Sequence, residues 1–212
     1  MVLWTLDYHG SGMRWTQISP DGGNIALKDQ DYQVLNWNLS SGELSQKISA
    51  PKTHWLRFSP NGEKIALITY DHYSLIWKLS NRGSLQPLTA HQSWIRVATF
   101  SPDGDKFASL SDDSMLRICD VSTGHCLQAL QVVISDKYHG AYAITFCPQG
   151  LYVASSSGEI AQLLDVCTGH CLQTLKGHST AISVIAFSRN GRLLVSASGA
   201  PVDDWFYSRS DP

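Results

Sequence analysis

Charge is scarce in this chain. Lys and Arg number 16 and Asp and Glu 18, so charged residues make up 16% of the sequence, against about 25% in ordinary domains. The net charge of −2 leaves no excess of either sign. That excludes a broad basic face of the kind that neutralises phosphates, and no nucleic-acid partner is expected. The longest uncharged stretch, Tyr138 to Gly158, contains His139, Gly140, Pro148, Gln149 and Ser155 to Ser157. Those residues are costly in hydrocarbon, so no membrane partner is expected either. The start, Met1 to Asp7, lacks a basic stretch before an apolar run and does not read as a secretory signal. A cytoplasmic location is expected, with the nucleus as the alternative. Five cysteines without a Cys-x-x-Cys pair argue against a disulfide framework. Neither a G-x-S-x-G elbow nor a G-x-x-x-x-G-K-[ST] loop occurs.

What the chain does have is one element in five copies. These are Ile18-Ser-Pro-Asp-Gly22, Phe58-Ser-Pro-Asn-Gly62, Phe100-Ser-Pro-Asp-Gly104, Phe146-Cys-Pro-Gln-Gly150 and Phe187-Ser-Arg-Asn-Gly191. Their first residues stand 40, 42, 46 and 41 positions apart. The chemistry is that of a tight turn: Ser bonds backbone, Pro presets φ and Gly closes the corner. Strand-like runs flank each copy, such as 94–100 before it and 64–69 after it. A third strand follows a short loop, as at 74–79 and 115–121, then a second turn and a fourth strand, as at 126–130 and 171–175. Four antiparallel strands recurring every forty-odd residues form the blades of an all-β propeller.

The units fall at about 9–48, 49–90, 91–130, 131–175 and 176–207 within a single domain, 1–212. Residues 2–6 stand like a fourth strand without its blade, and the last unit stops near Trp205. The first segment is therefore expected to complete the last blade and so remove an exposed edge. The alternative is that the chain is a piece of a larger propeller. The interval between fourth strand and next turn is four residues longer around Gln131 to His139 than elsewhere, an insertion of the kind that maps to a loop.

On the five turns, the Gly177-His178 pair, His9 and His91, the loop acids Asp31, Asp71 and Asp113, and Trp37 and Trp77, the sequence resembles the WD-repeat family over nearly its whole length. The segments Val121 to Gln128 and Val166 to Gln173 are also similar to WD repeats of fungal and cyanobacterial signalling proteins that carry a nucleotide-switch domain. In the family a His, a Ser or Thr, an Asp and a Trp form a hydrogen-bonded set that fastens each blade. The resemblance implies such roles for His9, Asp31, Trp37, Asp71, Trp77, His91, Ser109, Asp113, His178 and Trp205. No copy carries all four. The third unit has Cys119 at the Trp position, Leu27 and Leu67 replace the hydroxyl in the first two, Val195 stands in the fifth, and the fourth has none. A network missing members contributes little, so packing is expected to carry stability. The family usually closes with more than five blades, which implies an open arc, a tight ring or pairing with another chain.

Cys167, His170 and Cys171 lie close in sequence, but repeat register accounts for the cysteines and zinc wants four converging ligands. No metal, cofactor or catalytic residue is expected. The function expected is a non-catalytic protein-interaction scaffold whose partners, proteins or peptides, dock on the loop rim, with self-association if the ring is open. On that rim the sequence places Gln30, Tyr70, His72, Trp94 and Asp112, because aromatic anchors bury much area with few rotamers to freeze. The alternatives are a ligand-binding propeller associated with an enzyme, and a fragment of a larger WD-repeat signalling protein.

Overall fold

The turn sequences dictate the corners, and the corners dictate the sheets. In the first, Gly22 N–H donates to Ser19 O at 2.9 Å and Asn24 N–H to Ser19 Oγ at 2.8 Å. The Ser19 hydroxyl in turn donates to Asp21. The same set recurs around Ser59, Ser101 and Ser188. At the fourth corner Cys147 Sγ takes the hydroxyl's place and accepts Tyr152 N–H at 3.3 Å. Each corner glycine has a positive φ of 71 to 75°, which a Cβ would strain.

The computed structural model describes residues 12–50, 52–80, 85–88, 91–133 and 142–199. Among these it is all-β, with no helix. The first sheet holds β1 (Met13–Ile18), β2 (Asn24–Asp29), β3 (Gln33–Asn38) and β4 (Glu43–Ser49). The second holds β5 (Thr53–Phe58), β6 (Lys64–Thr69), β7 (Ser74–Lys78) and β8 (Leu85–Pro87). β9 (Ile95–Phe100), β10 (Lys106–Ser111), β11 (Met115–Asp120) and β12 (Cys126–Gln131) make the third. β13 (Tyr142–Phe146), β14 (Tyr152–Ser157), β15 (Ile160–Asp165) and β16 (Cys171–Leu175) make the fourth. β17 (Ile182–Phe187) pairs with β18 (Leu194–Ser198) as the described part of a fifth. All pairing is antiparallel and sequential, so each sheet is a meander. The spare strand expected at residues 2–6 lies outside the described residues, as does the insertion expected around Gln131–His139 beyond its first three residues.

No sheet could stand alone, because its apolar faces need a neighbour. Each core therefore lies between sheets. Ala26 and Val34 of the first meet Leu56, Phe58, Ile65 and Trp77 of the second. Ala66, Ile68 and Ile76 of the second meet Ala98, Phe100 and Phe107 of the third. Ala108, Leu110 and Leu116 continue to Ile144, Phe146 and Val153, and Ala154 and Ala161 to Ile182 and Ile185. A buried Phe or Leu stabilises by about 1.5–3 kcal/mol, so a few such contacts outweigh any single hydrogen bond. The array is an open or partial propeller: Ile18 on the first sheet and Val195 on the last are 59% and 62% exposed.

Two polar devices tie neighbouring sheets. Gln46, Gln86 and Gln128, each on a fourth strand, donate their amides to carbonyls in the following sheet's outer turn: Leu79 O at 2.5 Å, Ser122 O at 3.1 Å and Cys167 O at 2.7 Å. On the side of the Ser-Pro corners, a Cβ at Gly62, Gly104, Gly150 or Gly191 would meet side chains of the preceding corner.

Candidate functional site

The loops after each second strand and before each first strand are knitted together by backbone bonds. Ala50 N–H donates to Tyr32 O, Tyr70 N–H to Lys52 O, His91 N–H to His72 O, Asp112 N–H to Trp94 O and Ile182 N–H to Gly158 O. Among the described residues this makes a rim along the first three sheets and ties the fourth sheet's loop to the fifth sheet. The loop residues Tyr32, His72 and Ser114 take up left-handed φ values of 58, 70 and 62°.

A one-residue bulge recurs near the rim end of the inner strand. In the first, second, third and fifth sheets the extra residue is 14, His54, Arg96 and Ser183. A bulge re-aims its side chain, and here two of them join aromatic loop residues. The His54 ring lies 4.7 Å from that of Tyr70, and Tyr70 meets Trp94 edge-on at 6.3 Å. The Arg96 guanidinium sits 5.4 Å from the centre of the Trp94 ring and 6.0 Å from that of Tyr142. Asp112 locks this end: Arg96 Nε donates to it at 2.8 Å and the Tyr142 hydroxyl at 2.9 Å. Burial, then the bond to Asp112, pushes the Tyr142 phenol up to about 12, so it stays a proton donor. Burial, then Lys28, pulls His54 down to about 4, which keeps its ring neutral against Tyr70. The band crosses three sheets, and Tyr70 and Trp94 remain 50% and 45% exposed.

Of the rim residues read from sequence, Tyr70, Trp94 and Asp112 meet in or beside this band. Gln30 is exposed on the first sheet's loop. His72 is half-buried, with Nδ1 lacking a hydrogen-bond partner. His54, Arg96 and Tyr142 were not singled out in the sequence. They stand four residues before the phenylalanine of their turn motifs, a spacing the repeat displays.

The fastener residues divide sharply. In the third sheet His91 Nε2 meets Ser109 Oγ at 2.8 Å and Nδ1 meets Asp113 Oδ2 at 3.0 Å. A carboxylate only accepts, so the proton sits on Nδ1 and Nε2 accepts from Ser109. Asp113 also takes Gln92 N–H at 2.9 Å, Met115 N–H at 3.0 Å and the Arg117 guanidinium at 2.9 Å. Burial drives the Asp113 carboxyl up, but the Gln92 N–H, His91 and Arg117 outweigh it and hold it below its ordinary range. Burial holds His91 low. Arg117, paired across the strands with Ser109, thus supplies a member where Cys119 replaces Trp.

In the fifth sheet His178 meets Ser196 at 2.8 Å and Ser198 at 2.7 Å. The hydroxyl position is Ser196, one residue beyond the expected Val195. Ser155, buried in the fourth sheet, stands at the same register, opposite Ile144 as Ser109 is opposite Ala98. Trp37 and Trp77 act differently: their Nε1 atoms are buried without a partner, because Leu27 and Leu67 occupy the hydroxyl positions. Trp77 is 0% exposed and packs as a hydrocarbon. Asp31 is exposed, and Asp29 caps that loop instead by accepting Gln33 N–H at 2.7 Å. Asp71 pairs on the surface with Lys52 at 2.9 Å. His9 and Trp205 lie outside the described residues. Among the described residues no three His, Cys, Asp or Glu side chains are grouped as a metal would need, and no helix is long and apolar enough to cross a membrane.

Residues 82–120 and 169–204 match the family model described as WD domain, G-beta repeat. Both matched stretches start around the outer strand of one sheet and run into the inner strands of the next, β8 into β9–β11 and β16 into β17–β18. The chain is similar to WD repeat-containing protein 1 of Mus musculus, 37% identical over 71 residues, which is 32% of this chain and 11% of that protein. The Gallus gallus protein of the same name is 36% identical over 74 residues, 34% of this chain and 12% of its own length. Pre-mRNA-processing factor 19 homolog 2 of Arabidopsis thaliana is 28% identical over 119 residues, 56% of this chain and 22% of that one. The chain thus spans between 11% and 22% of the length of these relatives. With the recurring corners, the four-stranded meanders and the His91–Ser109–Asp113 set, these matches show that the chain carries WD repeats at residues 82–120 and 169–204 and support a WD-repeat family.

Proposed function

We propose that this chain is a non-catalytic scaffold that docks a protein or peptide partner across the rim of the second, third and fourth sheets. WD repeats serve as protein-interaction platforms generally. One observation carries the finer reading: Tyr70 and Trp94 expose aromatic surface, and Arg96, held by Asp112, packs against the Trp94 ring, which in turn meets Tyr70 edge-on. Exposed aromatics that are already ordered lose little entropy on binding, which is the physical signature of an interface anchor. A peptide with an apolar or aromatic side chain flanked by polar residues fits this chemistry, since the band itself carries a cation already paired. The alternative of a small-ligand channel has in its favour a depression lined by Gln17, Arg57, Thr99 and Phe100.

The test is a displayed random-peptide library selected on the purified chain, with affinities of the selected peptides measured on Trp94→Ala. Binding is expected to weaken by about tenfold or more, the scale of an interface hot spot. The melting temperature should fall by no more than about 4 °C, as for a half-exposed side chain in a chain of this size. Selected peptides that bind Trp94→Ala unchanged would refute rim docking, and so would a collapse of stability, which would make Trp94 a core residue.

A further inference from the structure

The third sheet departs from its siblings at one pair of cross-strand neighbours. Where β3 and β4 oppose Trp37 to Leu44, and β7 and β8 oppose Trp77 to Leu85, β11 and β12 set Cys119 against Cys126. The pair lies beside a bulge that the first and fourth sheets share. Residues directly opposed on antiparallel strands hold their Cα atoms about 4.5–5.5 Å apart, inside the span of about 4.4–6.8 Å that a disulfide bridges. Opposition alone is not enough, because both side chains must also leave the sheet on one side. They do: Cys119 belongs to the core between the second and third sheets, and Cys126 packs against that same core. The fourth sheet repeats the orientation. There Cys171, at the position of Cys126, accepts from the amide of Gln162 at 3.5 Å, and Gln162 faces the third sheet through its bond with Val133 N–H. Cys171 is opposed by Leu164, though, so no thiol stands across from it. Cys147 sits in a corner and Cys167 in an outer turn. All five cysteines are thiols in this structure, and two of them are cross-strand partners.

The two thiols differ in access. Cys119 is 2% exposed. Cys126 is half-buried, and its S–H donates along its own strand to Gln128 O at 3.0 Å. We infer that Cys119 and Cys126 form a modification site, a dithiol that a small disulfide such as oxidised glutathione converts reversibly into a cross-strand disulfide. Cys126, as its thiolate, attacks one sulfur of the oxidant, which gives a mixed disulfide and expels one glutathione thiolate. A turn about χ1 carries that sulfur from Gln128 O towards Cys119. The Cys119 thiolate then attacks the Cys126 sulfur and expels the second glutathione. One S–S bond is broken and one is made; the cysteines give up two electrons and two protons, and the oxidant leaves as two thiols. The product ties the outer strand β12 to β11. That strand carries Gln128, whose amide clasps the fourth sheet at Cys167 O, so oxidation fixes the donor of that clasp to its own sheet.

Mass spectrometry on the full chain tests this. Trypsin cuts after Arg117 and Lys137 and nowhere between them, so one peptide, Ile118 to Lys137, carries both cysteines. The folded chain is equilibrated with a series of reduced and oxidised glutathione mixtures, quenched in acid and alkylated after unfolding. In the oxidising mixtures that peptide is expected to lose both alkyl groups and two hydrogens together, and dithiothreitol should restore both thiols. Replacing the exposed pair, Cys167→Ser with Cys171→Ser, should leave this result unchanged. Cys119→Ser should instead stop the reaction at one glutathione on Cys126, and its thermal melt verifies that the variant folds; the wild-type peptide decides the matter without it. Amide exchange in β12 should slow on oxidation, since the strand can no longer part from its neighbour alone. A peptide that keeps both alkylatable thiols in mixtures that place glutathione on Cys167 or Cys171 would overturn the inference. So would a bridge that forms only in denaturant, or one that joins Cys126 to Cys167 or Cys171 instead of Cys119.

Discussion

Replacing Asp113 by Ala tests the physics of the one complete fastener. Its side chain is 8% exposed and accepts from His91, Gln92, Met115 and Arg117. His91 is 0% exposed at its side chain, so the substitution strands a buried imidazole N–H and leaves the Arg117 guanidinium, 13% exposed, without its anion. Breaking a buried charge pair from one side costs about 3–5 kcal/mol. For a chain of this length about 4 kcal/mol corresponds to a melting shift of roughly 8–16 °C. Asp71→Ala is the control. Its partner Lys52 is 61% exposed and Asp71 itself 48%, so that exchange should cost about 0–1 kcal/mol. Urea titrations at neutral pH measure both, and hydrogen exchange in β10 and β11 reports the third sheet alone if the sheets do not unfold together. A loss below about 1 kcal/mol for Asp113→Ala, or equal losses for the two acids, would refute the reasoning that a satisfied buried network differs from a surface pair.

Two further outcomes rest on the same chemistry. Cys147→Ser restores the hydroxyl of the other four corners, which accepts a backbone N–H better than sulfur does; calorimetry should show a change between zero and a gain of about 1 kcal/mol, and a clear loss would mean that the site needs the thiol's apolar character. Stability should also decline on acidification in two stages, followed by circular dichroism against pH. His54 titrates near 4 when folded and near 6.5 when unfolded, so the unfolded chain takes up the proton first and stability falls from about pH 6.5 downward. Asp120 is held at about 2 by Ser122 and Thr123; its contribution is present above the ordinary carboxylate range and is lost as pH falls towards that value. A flat profile between pH 6.5 and 4 would contradict the buried, neutral His54.

The five corners were legible because their chemistry is local: Ser, Pro, Asp and Gly within four residues specify the bend without help from elsewhere. The strands were legible because apolar and β-branched residues fall at a fixed distance from those corners. What depended on cross-strand register was not. Ser196 lies nine residues beyond Phe187, as Ser109 lies nine beyond Phe100, yet counting along the strand without the corner put the hydroxyl at Val195. Arg117 joins Asp113 only because β10 and β11 place it opposite Ser109. The bulges at His54 and Arg96 leave no trace in repeat length, so the side chains they turn to the rim stayed hidden. The partnerless indoles of Trp37 and Trp77 could have been foreseen, since Leu27 and Leu67 were already seen at the positions where a hydroxyl was wanted.

The glutamine ties have a direction. Gln46, Gln86 and Gln128 each give their amide forward, to the sheet that comes later in the chain. During synthesis the donor therefore exists before its acceptor, and each finished blade offers a template with a waiting amide to the next one made. Damage inherits the same polarity: losing Gln128 loosens the fourth sheet's hold on the third and leaves the first three sheets clasped to one another.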